Sequence, residues 1–117
     1  MSEDVAIRRG DVVIVRFDPA EGHEMKKTRP AVVVQNDVGN SNASTTIVAP
    51  VTGTYRGYPF EVLVEAAESP FEKDSSIRLD QIRVVSIEQR IHSVVGCLDP
   101  ETVKRIDDAL KLSLGLE

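Results

Sequence analysis

The sequence predicts a mainly β chain that closes with a C-terminal helix, arranged as a small barrel or sandwich. Three observations point there. Short runs rich in Val, Ile and Thr recur about every ten positions, each bounded by Gly, Pro, Asn or Asp. No internal repeat, linker or low-complexity tract breaks the series. After the last run, Asp99-Pro100-Glu101 opens a segment whose apolar residues return at helical spacing.

The first strand is Val12 to Phe17, entered through Gly10-Asp11 and stopped by Asp18-Pro19, whose proline has no donor for a ladder. The second is Ala31 to Gln35, launched by Pro30 and ended at Asn36-Asp37, with a turn at Gly39-Asn40-Ser41-Asn42 beyond it. Thr45 to Val51 makes a third. Phe60 to Glu65 follows, with Phe60, Val62 and Val64 on one face and Glu61, Leu63 and Glu65 on the other. Ser76 to Val85 reads as one strand, Ile77 and Leu79 facing one way and Ser76, Arg78 and Asp80 the other. Ile91 to Leu98 is the last strand. The closing helix has Asp99 as N-cap, Pro100 at its first position, a stripe of Val103, Ile106, Leu110 and Leu114, and Gly115 as its stop.

A chain of 117 residues has the length of one domain, so residues 1–117 are expected to act as a single unit. Hydrophobic residues at 41% supply an ordinary core, and aromatic residues at 4% with no Trp make that core aliphatic. Cys97 is the single cysteine, which excludes an internal disulfide and a cysteine-cluster metal site; it is expected to be a small buried hydrophobe in a reduced cytoplasmic setting. His92, in an apolar strand, is expected to be structural. No apolar run approaches the roughly 20 residues a membrane-spanning helix needs, and Met1-Ser2-Glu3-Asp4 lacks the features of a signal peptide. A net charge of -5 excludes a protein that coats nucleic acid by bulk attraction. Yet residues 1–60 hold 7 of the 14 basic and 7 of the 19 acidic residues, so the acidic excess lies wholly in the second half. A local cationic site is left open to Lys26, Lys27, Arg29 and Arg56, with Arg78 and Arg83.

Between the first two strands lies a polar loop, Ala20-Glu21-Gly22-His23-Glu24-Met25-Lys26-Lys27-Thr28, longer than a tight hairpin needs and rich in proton-handling side chains. Arg29-Pro30 ends it. Proline confines the backbone of Arg29 to extended conformations, so the guanidinium is presented from a defined point, as a phosphate clamp requires.

Arg9-Gly10-Asp11 through Asp18-Pro19, Gly22-His23-Glu24, Arg29-Pro30-Ala31-Val32-Val33 and Asn36-Asp37 together resemble the MazF/PemK-type mRNA-interferase toxins. Ile47-Val48-Ala49-Pro50-Val51-Thr52, Asp80-Gln81-Ile82-Arg83 and Leu110 to Leu116 extend the likeness, in order and spacing, over almost the whole chain from Arg8. The resemblance implies an SH3-like small β-barrel and a homodimer. It implies metal-independent and cofactor-free cleavage of single-stranded RNA at short motifs, leaving a 2′,3′-cyclic phosphate and a 5′-hydroxyl. It implies an antitoxin protein whose acidic segment blocks the RNA site and with which the toxin binds DNA. Position by position, the family's catalytic pair falls on Arg29 and Thr52, and the substrate-proximal Asp80-Gln81 and Arg78 follow. The loop that commonly reads Gly-Ser-Glu-Gln in the family reads Gly22-His23-Glu24-Met25 here, and the first strand lacks the aromatic residues many members carry.

Such cleavage needs a proton taken from the 2′-hydroxyl, a steadied pentacoordinate phosphate, and a proton for the leaving 5′-oxygen. Arg29 suits the second role, being always charged and a poor acid near neutrality; the Thr52 hydroxyl donates to the same phosphate. His23, Glu24 and Asp80 are the rival candidates for the base, His23 because it titrates near neutrality. Asn36, Thr54 and Gln81 are candidates to read base edges, with Tyr55, Tyr58 and the Arg56 between them as stacking or backbone contacts. Phe17 and Phe60 are assigned to the core. Two other readings stand beside this one: a non-catalytic toxin of the same fold class that poisons gyrase, and an inactive SH3-like RNA-binding module.

Overall fold

Branching at Cβ favours extended backbone, and each Val-, Ile- and Thr-rich run is a strand in the computed structural model, which describes residues 6–17, 22, 27–68 and 70–116. The strands are β1 (Asp11–Arg16), β2 (Thr28–Val33), β3 (Thr45–Thr52), β4 (Glu61–Val64), β5 (Ser75–Arg78), β6 (Arg83–Ser86) and β7 (Ile91–Cys97). All pairings are antiparallel, in the order β4-β5-β3-β2-β1-β7, with β6 also on β3. The path has two ends, β4 and β7, so the sheet curls in a barrel-like way without a hydrogen-bonded closure among the described residues.

Both faces of the sheet are buried. Val12, Val32, Ala49, Val51, Val62, Val64, Ile77 and Leu79 form one core. Val13, Val15, Phe17, Ala31, Val33, Val48 and Val85 form the other. Neighbouring residues of one strand thus feed opposite cores, as the period of two demands. The helix α3 (Pro100–Leu114) covers the first core with Ile106 and Ala109, flanked by Val103 and Leu110. Its ends form as the sequence predicts: the Asp99 carboxylate accepts from the Thr102 N–H at 2.8 Å, and Gly115 takes a left-handed φ of 73°.

The expected run from Ser76 to Val85 is two strands, not one. Both β5 and β6 lie along the edge of β3 that faces away from β2, but between Ile77 (opposite Val51) and Arg83 (opposite Val48) this segment spends six residues while β3 spends three. The surplus forms the turn around Asp80-Gln81, closed by the Gln81 N–H on the Arg78 carbonyl at 3.3 Å. β2 begins at Thr28, earlier than expected, because Thr28, Arg29 and Pro30 are held by β1 through Arg16, Val15 and Ile14. Gly39 to Asn42, expected as a turn, belongs to a short helix, α1 (Asp37–Asn42), and a second, α2 (Ile87–Arg90), precedes β7. Leu114, placed in the buried stripe, is exposed. Cys97, expected to be buried, is exposed at the end of β7, a strand that among the described residues pairs with β1 alone. Phe17 is fully buried, as expected; Phe60 is only half-buried.

Candidate active site

Proline has no N–H to give a ladder, and two prolines stand where the pairing of β2 with β3 stops. The pairs run from Val33–Val48 through Val32–Ala49 to Ala31–Pro50, and Pro30 follows at once on β2. Arg29 lies two residues beyond that last pair on β2 and Thr52 two residues beyond it on β3, so the two occupy matching positions at the same end of both strands. Thr52 is in turn opposite Ser76 of β5, and Ser76 opposite Leu63 of β4.

Parity decides which way these side chains face. Arg29 shares its side of β2 with Ala31 and Val33, and Thr52 its side of β3 with Val48, all of the second core. Ser76 and Arg78 lie opposite in sense to Ile77 of the first core, and Glu61 opposite to Val62 and Val64. Arg29, Thr52, Ser76, Arg78 and Glu61 therefore extend the second-core face of the sheet into a polar row across β2, β3, β5 and β4. Arg29 and Thr52 are half-buried, positioned by strands on which water still reaches them.

Arg78 grips Asp80 through both carboxylate oxygens, Nε to Oδ1 at 2.8 Å and NH2 to Oδ2 at 2.6 Å. This fork raises the Arg78 guanidinium above its ordinary pKa, chiefly through the hydrogen bonds to Asp80, so the cation is permanent. The Arg78 guanidinium also lies 5.8 Å from the centre of the Phe60 ring, which stacks with Tyr58 at 5.1 Å.

Other candidates lie nearby. Thr54, Tyr55 and Arg56 are exposed in the segment 53–60 that leaves Thr52, and Gln81 is half-buried in the turn beside Asp80. Lys27 is exposed at the start of β2 with φ of 72°, a left-handed conformation costly for a residue with a Cβ. Its carbonyl accepts from the Phe17 N–H at 3.0 Å, which pins the base of the polar loop. Arg83 braces the same base: its NH1 donates to the Phe17 carbonyl at 3.3 Å and its guanidinium lies over the Phe17 ring. Asn36 stands apart. It caps α1, beyond the far end of β2 from Arg29, with Oδ1 accepting from the Gly39 N–H at 2.8 Å. His23, Glu24 and Lys26 lie outside the described residues.

Two site residues escaped the sequence reading. Glu61, grouped there with Glu65 on a polar face, is buried while Glu65 is exposed. Apolar residues on both faces of its strand, Val62 and Val64 against Leu63, were the available signal: a strand buried on two sides must give an acid inside it partners. Lys73 reaches Gly53, the residue after Thr52, from the loop before β5, so near that a Cβ added to Gly53 would lie 3.5 Å from its Cε and 3.8 Å from Nζ. No local motif marks that lysine.

Comparison with known proteins places the chain in a family and a fold. Residues 8–114 match the family described as PemK-like, MazF-like toxin of type II toxin-antitoxin system. The chain is 38% identical over 112 residues to Endoribonuclease EndoA of Bacillus subtilis (strain 168), covering 94% of this chain and 96% of that protein. It superposes with a TM-score of 0.81 on an endoribonuclease in complex with its cognate antitoxin from a mycobacterial species, at 22% identity and covering 96% of this chain and 98% of the other. MazE-MazF from Deinococcus radiodurans gives a TM-score of 0.76 at 25% identity, covering 97% of this chain and 100% of the other.

Proposed function

Because the chain belongs to the PemK-like, MazF-like toxins of type II toxin–antitoxin systems, we propose that residues 8–114 cut single-stranded RNA at the mouth formed by Arg29 and Thr52. The protein is an endoribonuclease toxin. The single observation that carries the site is the matched placement of Arg29 and Thr52 on one face, just past the Ala31–Pro50 pair.

In the proposed reaction the ribose 2′-hydroxyl gives its proton to a base and attacks the adjacent phosphorus, the bond to the 5′-oxygen breaks, and the departing oxygen takes a proton from water, giving a 2′,3′-cyclic phosphate and a 5′-hydroxyl. Arg29 faces the non-bridging oxygens with its fixed fork of donors and offsets the charge that grows on them. Thr52 donates a hydroxyl hydrogen bond to the same group. His23 or Glu24, in the loop whose base Lys27, Phe17 and Arg83 hold, takes the 2′ proton; Asp80, clasped by Arg78, is the less suitable base. Neither metal nor cofactor enters the sequence of steps. Lys27, Arg56, Arg78 and Lys73 supply cationic contacts to the backbone, while Tyr55, Thr54 and Gln81 meet bases.

The partner side follows from the same family. An antitoxin with an acidic extended segment competes for the cationic face, and a second copy of the chain completes a homodimer. We place the activity in the cytoplasm; no described helix is long and apolar enough to cross a membrane.

Incubation of the purified protein with a long RNA in excess chelator tests the proposal. Breaks at a short recurrent motif, with cyclic phosphate at the 3′ ends, are the expected result. Intact RNA would favour a non-catalytic toxin or binding module, and breaks only on addition of magnesium would overturn the metal-free route.

A further inference from the structure

A carboxylate buried to 1% side-chain exposure holds the segment that leaves Thr52. Glu61 Oε1 accepts from two backbone donors of that segment, the Arg56 N–H at 3.1 Å and the Tyr58 N–H at 3.0 Å. Its other oxygen, Oε2, accepts from the Ser76 hydroxyl at 3.2 Å and lies 3.9 Å from Arg78 Nε. The Glu61 N–H returns a bond to the Tyr58 carbonyl at 2.9 Å. Between the two bonded amides Gly57 takes φ of 81°, which turns both N–H groups toward one oxygen; a Cβ there would meet no atom within 4 Å, so the demand is on the backbone and not on space.

The consequence reaches both sides of the site. Through Oε1, Glu61 fixes where Tyr55, Arg56 and Tyr58 project, and it seats Tyr58 on the Phe60 ring that Arg78 overlies. Through Oε2 it touches Ser76, the strand neighbour of Thr52, and faces the guanidinium that clasps Asp80 beside Gln81. One buried acid thus joins the 53–60 segment to the 78–81 turn.

We propose that Glu61 is a positioning residue for RNA recognition: by holding the 53–60 segment and Arg78 in one arrangement it sets RNA affinity and the choice of bases next to the cut, without touching substrate or the reacting phosphate. The proposal rests on the RNA-cutting reading above. A charge so deeply buried carries a desolvation cost that an apolar residue in β4 would avoid, and its bonds go to site segments and not to the main core.

The test compares Glu61→Gln and Glu61→Ala with the unmodified protein, using a cleavable RNA for kcat and KM and a strand carrying 2′-deoxy nucleotides for Kd. Thermal unfolding and dimer mass serve as checks on the fold. Glu61→Ala is expected to raise KM and Kd by about tenfold or more, the scale of a lost hydrogen bond to a charged group, with kcat changed less than about threefold and with looser base preference beside the cut. Glu61→Gln keeps a carbonyl oxygen for the Arg56 and Tyr58 amides and loses the charge facing Arg78, so it is expected to restore most of the affinity. Should Glu61→Ala fail to fold, Gly57→Ala, which strains the same loop from outside the core, is expected to reproduce its KM effect. Folded variants with unchanged KM, Kd and base preference, or with kcat lowered and KM intact, would overturn the positioning role alone. An unmodified protein that neither cuts nor binds RNA would overturn the reading on which it rests.

Discussion

In the proposed reaction the chemistry rests on where Arg29 and Thr52 sit relative to a row of strands. Arg29 is fixed by β1 through Val15 and by the proline after it, and Thr52 by β5 through Ser76, so neither depends on the polar loop for its own position. Arg29→Ala and Thr52→Ala are therefore expected to leave folding intact, as read by thermal unfolding. They should each lower the rate of RNA cleavage by about a hundredfold or more, the scale of losing one preorganised donor to a transition-state oxyanion. A carboxylate far from this site gives a separate pH signature. The Arg9 N–H, at 2.7 Å, is the main cause holding Asp37 below its ordinary 3.8, with a further bond from Asn40. A depressed folded pKa adds stability above the unfolded value, and that stability is lost as pH falls through 3.8 toward the folded one. Asp37→Asn should accordingly flatten the acid limb of a plot of urea midpoint against pH, most visibly below about pH 4. The Arg29 position was legible in the sequence because a proline beside an arginine constrains geometry locally; Glu61 and Lys73 were not, because their roles arise from strands and loops that meet only in the fold.

At the scale of elements, capping and strand propensity were readable, while register was not. Asp99-Pro100-Glu101 announces the start of α3 with chemistry confined to four consecutive residues, and the helix begins there. Asp99→Ala removes the oxygen that accepts from the Thr102 N–H and is expected to cost about 1 kcal/mol, measurable as a shift of the urea midpoint with unchanged slope. The division of residues 75–86 into β5 and β6 had no such local mark. Ser76 to Val85 alternates well enough to pass as one strand; only the mismatch between six residues here and three on β3 forces out the turn that carries Asp80 and Gln81. Asn36, a candidate to read base edges, has its side-chain oxygen engaged in capping a helix that the Gly39–Asn42 sequence disguises as a turn. Lys27 carries its left-handed backbone at the base of the loop, and Lys27→Gly is expected to stabilise the fold by about 1 kcal/mol while weakening RNA binding, read as urea midpoint and Kd.

Over the whole molecule, a mainly β chain ending in a helix was evident from the composition and spacing, and the double core was the part concealed. Strands that alternate between two apolar faces, such as Val12 against Val13 and Val15, look from sequence like continuous runs whose faces cannot be assigned. Once the faces are assigned, the polar row from Arg29 to Glu61 appears as the open end of the second core, and it carries two cations, Arg29 and Arg78, in a chain whose net charge is -5. In the proposed reaction Arg29 and Thr52, at one end of this row, bring a ribose oxygen to attack its own phosphodiester. The most direct test is a single substitution in the substrate: the 2′-hydroxyl at the cut nucleotide replaced by hydrogen, with cleavage followed under conditions where the unmodified strand is consumed. The deoxy strand is expected to stay whole while still competing for the enzyme; its cleavage at the rate of the ribose form would contradict attack by the 2′-oxygen.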